Sequence, residues 1–167
     1  YRVGVFGFGH VGLTIGVGWG LAGAKVIGMT LDKQAIRLLE SGLSPFPEEA
    51  YLSSYIENLR ARGLLEVTDD YSYGARETDI KIIAVPVFLS NEKKPDLTPI
   101  IEVSERIGRN LVKGDVVIVE TSIPPGTTRD MVKPILEEKS GLKADEDFAL
   151  AYSPERISAG TVLADYL

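Results

Sequence analysis

Ten residues near the start of the chain, Val3-Gly4-Val5-Phe6-Gly7-Phe8-Gly9-His10-Val11-Gly12, constrain its folding more than any other stretch. An apolar β-type run meets three glycines spaced G-x-G-x-x-G, and a helix-like segment follows. That order is the phosphate-binding turn of a doubly wound, Rossmann-type parallel α/β sheet. In such a turn Gly7 permits the tight bend, Gly9 lets a pyrophosphate approach the backbone, and Gly12 lets the helix lie close to the strand. The helix start offers unpaired N–H groups and a positive dipole end. The glycine spacing alone is a weak signal; its place directly after a strand and before a helix gives it weight.

The rest of the chain alternates in the same sense. The pattern predicts strands over 2–6, 24–29, 64–68, 79–85, 115–121 and 148–152. It predicts helices over 11–21, 33–40, 48–62, 71–76, 98–112 and 127–139. With no internal repeat or linker, β-α alternation implies about six parallel strands in order 3-2-1-4-5-6, helices on both faces, and one dinucleotide-binding domain over 1–167. Gly16, Gly18 and Gly20 weaken the first helix and point to close helix–sheet packing, with Gly23 as its C-cap. Leu52, Tyr55, Ile56 and Leu59 form one apolar stripe, and Ile100, Val103, Ile107 and Leu111 another. The run from Ile80 to Val85 reads as a strand covered on both faces. Residues 87–96 read as a solvated polar loop. Thr127 with Asp130 resembles a capping box, and Pro134 should kink the helix that contains it.

Composition excludes several chemistries. There are 24 acidic and 18 basic residues, net charge −6, and no basic tract that would mark a nucleic-acid partner. With no cysteine and one histidine, disulfides, thiolate or histidine-rich metal sites and an internal cysteine nucleophile are ruled out. Residues 3–24 carry no formal charge, which invites a membrane-span or signal-peptide reading. The eight glycines among them favour a buried strand and helix instead, with no membrane partner and a cytoplasmic location.

In a doubly wound sheet the loops beyond the strands' carboxyl ends share one crevice. Here those stretches are 7–12, 85–88, 121–126 and 153–156. The cofactor-binding candidates are therefore Gly7, Phe8, Gly9, His10, Val11, Gly12, Val85, Pro86, Thr121 and Ser122, with Thr30 and Asp32 after the second strand. An acid at the Thr30 position would ordinarily meet the adenosine ribose. Asp32, two residues on, either serves the ribose or caps the next helix. His10 either brings its ring to the cofactor, stacking or exchanging protons, or contributes only its backbone. Ser122 offers a hydroxyl at a strand-to-helix turn, or is a turn serine bonded to its own backbone. Glu155 either acts as a general base or fixes a water, or pairs with Arg156.

Four strings carry a family resemblance over nearly the whole chain. Gly7-Phe8-Gly9-His10-Val11-Gly12-Leu13 is similar to the G-x-G-Y-V-G-L start of the UDP-glucose/GDP-mannose dehydrogenases, the nucleotide-sugar 6-dehydrogenases. Ala84-Val85-Pro86 with Pro95-Asp96-Leu97 resembles that family's fourth strand and loop. Glu120-Thr121-Ser122-Ile123-Pro124-Pro125-Gly126-Thr127-Thr128 resembles its E-S-T-V-P-P-G-T-T signature, and Ala151-Tyr152-Ser153-Pro154-Glu155-Arg156 its S-P-E-R stretch. The last two are the specific ones.

The resemblance implies a four-electron oxidation, in which two NAD-dependent hydride transfers take a sugar C6 alcohol to a carboxylate. A cysteine holds the intermediate as a thiohemiacetal and then a thioester. It places Ser122 where the family has a threonine that binds the catalytic water, and Glu155 where a glutamate assists thioester hydrolysis. Arg156 resembles the N-acetylhexosamine branch. The family also has a central dimerisation helix carrying a lysine and an asparagine, and a C-terminal domain carrying the cysteine. The expectation is thus an N-terminal NAD-binding piece of a homodimeric UDP-sugar dehydrogenase, inactive alone. Departures are Thr30 for an aspartate, Ala35 for a basic residue, Val87-Phe88 for Thr-Pro, and the order Thr121-Ser122; they leave NADP open beside NAD. Two rivals are a dinucleotide-sensing module without catalysis and another NAD(P)-dependent hydroxyacid-type dehydrogenase. The Pro124-Pro125-Gly126-Thr127-Thr128 string argues against the second.

Overall fold

The computed structural model describes residues 1–49 and 51–154. In chain order its elements are β1 (Arg2–Phe6), α1 (His10–Leu21), β2 (Lys25–Met29), α2 (Lys33–Glu40), a 3-10 turn (Pro47–Glu49), α3 (Leu52–Ala61), β3 (Leu65–Thr68), α4 (Tyr71–Arg76) and β4 (Ile80–Ile83). There follow β5 (Phe88–Leu89), β6 (Pro95–Asp96), α5 (Thr98–Gly108), β7 (Val116–Val119), a π turn (Thr128–Val132), α6 (Lys133–Ser140) and β8 (Ala149–Tyr152). Six strands form one parallel sheet in the order β3-β2-β1-β4-β7-β8, the expected order once the small β5–β6 hairpin is set aside.

Period-two alternation sends the strand residues to two cores. Val3, Val5, Val26 and Ile82 pack with α1 and α3 on one face, through Leu13, Ile15, Ile56 and Leu59. Phe6, Ile27, Met29 and Val119 pack on the other with α5 and α6, through Ile100, Ile107 and Leu136. A parallel sheet covered on both faces requires this doubly apolar pattern. Lys81 on β4 is the exception: it is buried, and its Nζ lies 2.7 Å from Asp115 Oδ2 at the amino end of the sheet.

Several local expectations are corrected. Residues 87–96 contain the antiparallel β5–β6 pair rather than only a loop. Helix 48–62 divides into the 3-10 turn and α3, and Tyr55 of its stripe is exposed. The C-cap of α1 is Ala22; Gly23 follows it with φ 92°, and the Ala24 N–H reaches back to the Trp19 carbonyl. No Thr127–Asp130 capping box forms. Thr127 Oγ1 donates to the Pro124 carbonyl at 2.8 Å, and the Asp130 carboxylate is held by Arg129. At Pro134 the chain meets a residue without an N–H. The turn before it widens, with Lys133 N–H donating to the Thr128 carbonyl five residues back, so a π turn precedes α6.

Among the described residues no helix is long and apolar enough to cross a membrane, and no group of three His, Asp or Glu side chains is placed to hold a metal ion.

Candidate functional site

A cavity of about 720 Å³ opens beyond the carboxyl ends of β1, β2, β4 and β7. All twelve cofactor-binding candidates line it, Gly7 to Gly12 along one wall, Thr30 and Asp32 at one end, and Val85, Pro86, Thr121 and Ser122 at the strand ends beside them. Glu155 lies outside the described residues.

The glycine turn is built as its three positions require. Gly7 has φ 102°, and a Cβ there would meet the Val85 backbone nitrogen at 2.6 Å. A Cβ on Gly12 would meet the Gly7 carbonyl oxygen at 2.1 Å, so α1 can approach β1 only without a side chain. Gly9 differs. Its φ of −82° suits any residue, and a Cβ would meet nothing within 4 Å. The fold does not need glycine there; the open space above it is what a close-lying ligand needs. The turn hangs from β2, since the N–H groups of Gly7 and Phe8 both donate to the Met29 carbonyl, at 3.1 and 2.8 Å. The first turn of α1 carries no side-chain cap, so its N–H groups face the cavity as an anion seat. A dinucleotide diphosphate fits these residues.

Phe8 faces the cavity only through its backbone. Its ring is buried between Gly16 of α1 and Gly28 of β2, where an added Cβ would come within 2.5 Å of it in either case. This is the close helix–sheet packing anticipated from the glycines of α1, and a large x residue in G-x-G explains part of it.

Asp32 caps α2, its Oδ1 accepting from Gln34 N–H at 2.8 Å and Ala35 N–H at 3.1 Å, and it also lines the cavity. The Thr30 hydroxyl accepts from the Asp32 N–H at 3.2 Å and shapes the same turn. Ala35 is buried rather than on the cavity wall. His10 opens α1; its ring meets Phe46 edge-on at 5.1 Å, and its Nε2 lies 3.3 Å from Glu49 Oε1. Thr121 Oγ1 donates to the Val85 carbonyl at 2.7 Å, whereas Ser122 beside it is exposed. The Ile123 N–H points to the Tyr152 hydroxyl at 3.5 Å, linking this loop to β8.

Sequence reasoning missed the wall opposite the glycine turn. Tyr71 of α4 and Pro99, Glu102, Val103 and Arg106 of α5 complete the cavity. The Arg106 guanidinium lies 5.5 Å from the Tyr71 ring centroid, a cation–π contact. Burial pushes the Tyr71 phenol up, with Arg106 opposing. Tyr71 and Pro99 each stand in the first turn of a helix that follows a sheet strand or its loop. That was the available signal; which faces of α4 and α5 turn toward the sheet is a tertiary fact.

This fold and this cavity define a dinucleotide-binding α/β protein with its ligand seat at the start of the first helix. More specifically, the chain belongs to the UDP-glucose/GDP-mannose dehydrogenase family, whose NAD binding domain matches residues 1–167. It is 35% identical over 159 residues to UDP-N-acetyl-D-glucosamine 6-dehydrogenase of Salmonella typhi, covering 95% of this chain and 36% of that protein. A ternary complex of GDP-mannose dehydrogenase from Pseudomonas aeruginosa superposes with a TM-score of 0.93 at 30% identity, over 99% of this chain and 38% of that one. The NDP-N-acetyl-D-galactosaminuronic acid dehydrogenase of Methanosarcina mazei Go1 gives 0.91 at 38% identity, over 98% and 36%. The chain thus spans little more than a third of the length of the relatives it matches.

Proposed function

We propose that this chain is the cofactor-binding part of a nucleotide-sugar 6-dehydrogenase that oxidises the C6 alcohol of a UDP-sugar to the uronate. The open space over Gly9, at the mouth of an uncapped helix, carries the cofactor half of this reading. The family match over residues 1–167 supports the rest. NAD, when bound, accepts the hydride of each oxidation step. The chain's own groups do the remaining work within reach of these loops. Backbone N–H groups of α1 hold the diphosphate, and Thr30 with Asp32 meets the adenosine ribose. Val85 and Pro86 form a wall at the nicotinamide end. Ser122 orients the hydrolytic water, as the resemblance implies, and Glu155 assists that water's attack. A thioester route needs a cysteine, and these 167 residues contain none; it comes from outside them. A homodimeric enzyme acting on soluble UDP-sugars in the cytoplasm is the setting this predicts.

The test titrates NADH into the chain, followed by the cofactor's fluorescence, and assays it with UDP-glucose, UDP-N-acetylglucosamine and UDP-N-acetylmannosamine. NADH should bind, and no UDP-sugar should be oxidised by the chain alone. Failure to bind NADH removes the cofactor reading; sustained NADH production removes the need for an outside cysteine.

A further inference from the structure

Leu31 is 70% exposed on the loop after β2, and it lines the cavity. Apolar surface left open in a binding cleft is what a ligand's own apolar face covers. Two residues before it, the Met29 carbonyl accepts from the Tyr71 hydroxyl at 3.4 Å, as well as from the two N–H groups of the glycine turn. Tyr71 is buried and packs its ring against Phe6, with centroids 5.9 Å apart, so the core fixes its place at the end of β2. The exposed Arg106 of α5 lies over that ring, its Cζ 5.5 Å from the centroid. Leu31 and Arg106 thus border the β2 end of the cavity, where Thr30 replaces the ribose-binding aspartate of the resembled family.

Among the described residues that line the cavity, Arg106 is the only lysine or arginine. Arg109, farther along the same segment, is taken by Glu105 at 2.9 Å. Arg106 has no ion pair among the described residues, only its contact with Tyr71. A guanidinium so placed suits two kinds of ligand group, a phosphate or a flat aromatic ring. The surrounding charge chooses between them. Asp32 and Glu102 line the cavity too, Glu102 one helical turn before Arg106. A phosphate at Arg106 would meet their repulsion. A neutral ring carries no such penalty, stacks on the guanidinium and covers the open leucine.

We infer that Leu31 and Arg106, the latter seated on Tyr71, hold the adenine ring of the dinucleotide and select a purine at that end of the cavity. The inference rests on the cofactor reading above. It gives the base a share of the recognition that an acid at position 30 would otherwise supply through the ribose.

The experiment follows NADH fluorescence on the 167-residue chain while ADP or CDP displaces it. The two competitors carry the same diphosphate and ribose and differ in the base. In the wild-type chain ADP should bind roughly tenfold more tightly than CDP. Arg106→Ala and Leu31→Ser, both at exposed positions, should each weaken ADP about five- to tenfold and CDP by less than about twofold, so that the preference closes. Arg106→Lys keeps the charge without the planar group and should not restore the preference. Thermal melts of all three variants should match wild type. Equal losses for ADP and CDP, or full recovery in Arg106→Lys, would reduce Arg106 to a point charge and overturn the inference. An ADP preference unchanged in Arg106→Ala and Leu31→Ser overturns it as well. NADH binding without any preference for ADP in the wild-type chain overturns it and leaves the cofactor reading standing, whereas no NADH binding removes both.

Discussion

Thr121 Oγ1 donates a 2.7 Å hydrogen bond to the carbonyl oxygen of Val85, joining the loop after β7 to the loop after β4. Those loops border the part of the cavity where a nicotinamide would lie. The family order Ser-Thr is reversed here, and a hydroxyl of either residue type at 121 can make this bond. The first hydroxyl is spent on the fold, and the second, on Ser122, is left exposed. Thr121→Val keeps the shape and removes the donor, leaving the buried Val85 carbonyl without it. Urea unfolding should show a loss of about 1–3 kcal/mol. Thr121→Ser should recover most of it. NADH affinity should weaken in the valine variant and return in the serine variant.

Gly9 and Gly12 should separate binding from folding. A Cβ at Gly9 meets nothing, so Gly9→Ala should unfold within about 0.5 kcal/mol of wild type. It should bind NADH at least tenfold more weakly, because the new methyl occupies the diphosphate's approach. A Cβ at Gly12 meets the Gly7 carbonyl oxygen at 2.1 Å, backbone that cannot swing aside. Gly12→Ala should therefore cost about 1–3 kcal/mol of stability. Equal stability losses in the two variants would mean that Gly9 is a packing residue after all.

The sheet order was legible because it rests on local signals. Uncharged, Val/Ile-rich runs at 3–5, 26–29, 82–85 and 116–119 mark parallel strands, and the glycine turn marks the first crossover. The Asp32 cap was legible for the same reason, its partners being two and three residues away. Interactions that join distant residues were not. Nothing near Lys81 announces Asp115, nothing near His10 announces Glu49, and Arg106 reaches Tyr71 only because α4 and α5 pack side by side. The capping box failed through a competition that sequence cannot rank: Thr127 and Asp130 each found a nearer partner.

Lys81 and Asp115 form a buried ion pair at the amino end of the sheet, away from the cavity. The Asp115 carboxylate also accepts from the Val112 N–H at 2.9 Å. Asp115→Ala leaves a buried ammonium behind and should cost about 3–5 kcal/mol. Lys81→Met keeps the Val112 bond and should cost less, and the double variant should recover part of the Asp115→Ala loss. A double-mutant cycle in urea reads these terms.

The same pair predicts a pH dependence. Burial pushes the Lys81 ammonium below the ordinary lysine value of 10.5, with Asp115 opposing. The unfolded chain therefore binds more protons than the folded one in the window between the lowered value and 10.5. Below that window both states are protonated and the full cost of burying the ammonium is present. Stability relative to Lys81→Met should accordingly rise as pH rises through the window. A relative stability that falls there would mean that Asp115 outweighs desolvation.

Asp32 caps a helix and lines the cavity, and substitution can separate what each does. Its carboxylate caps α2 through two backbone N–H groups, and it stands on the cavity wall where an adenosine ribose would lie. Asparagine caps a helix about as well as aspartate, whereas alanine loses the acceptor at a cost of about 0.5–2 kcal/mol. Asp32→Asn should thus unfold like wild type and Asp32→Ala at lower denaturant. If the carboxylate also serves the ribose, Asp32→Asn should bind NADH several-fold more weakly and NADPH more tightly, since a 2′-phosphate no longer faces its charge. Thr30 cannot supply that charge, and its hydroxyl already accepts from the Asp32 N–H. Unchanged NADH and NADPH affinities in Asp32→Asn would reduce Asp32 to a cap, leaving ribose recognition to the backbone of this turn and to the Tyr71–Arg106 wall across the cavity.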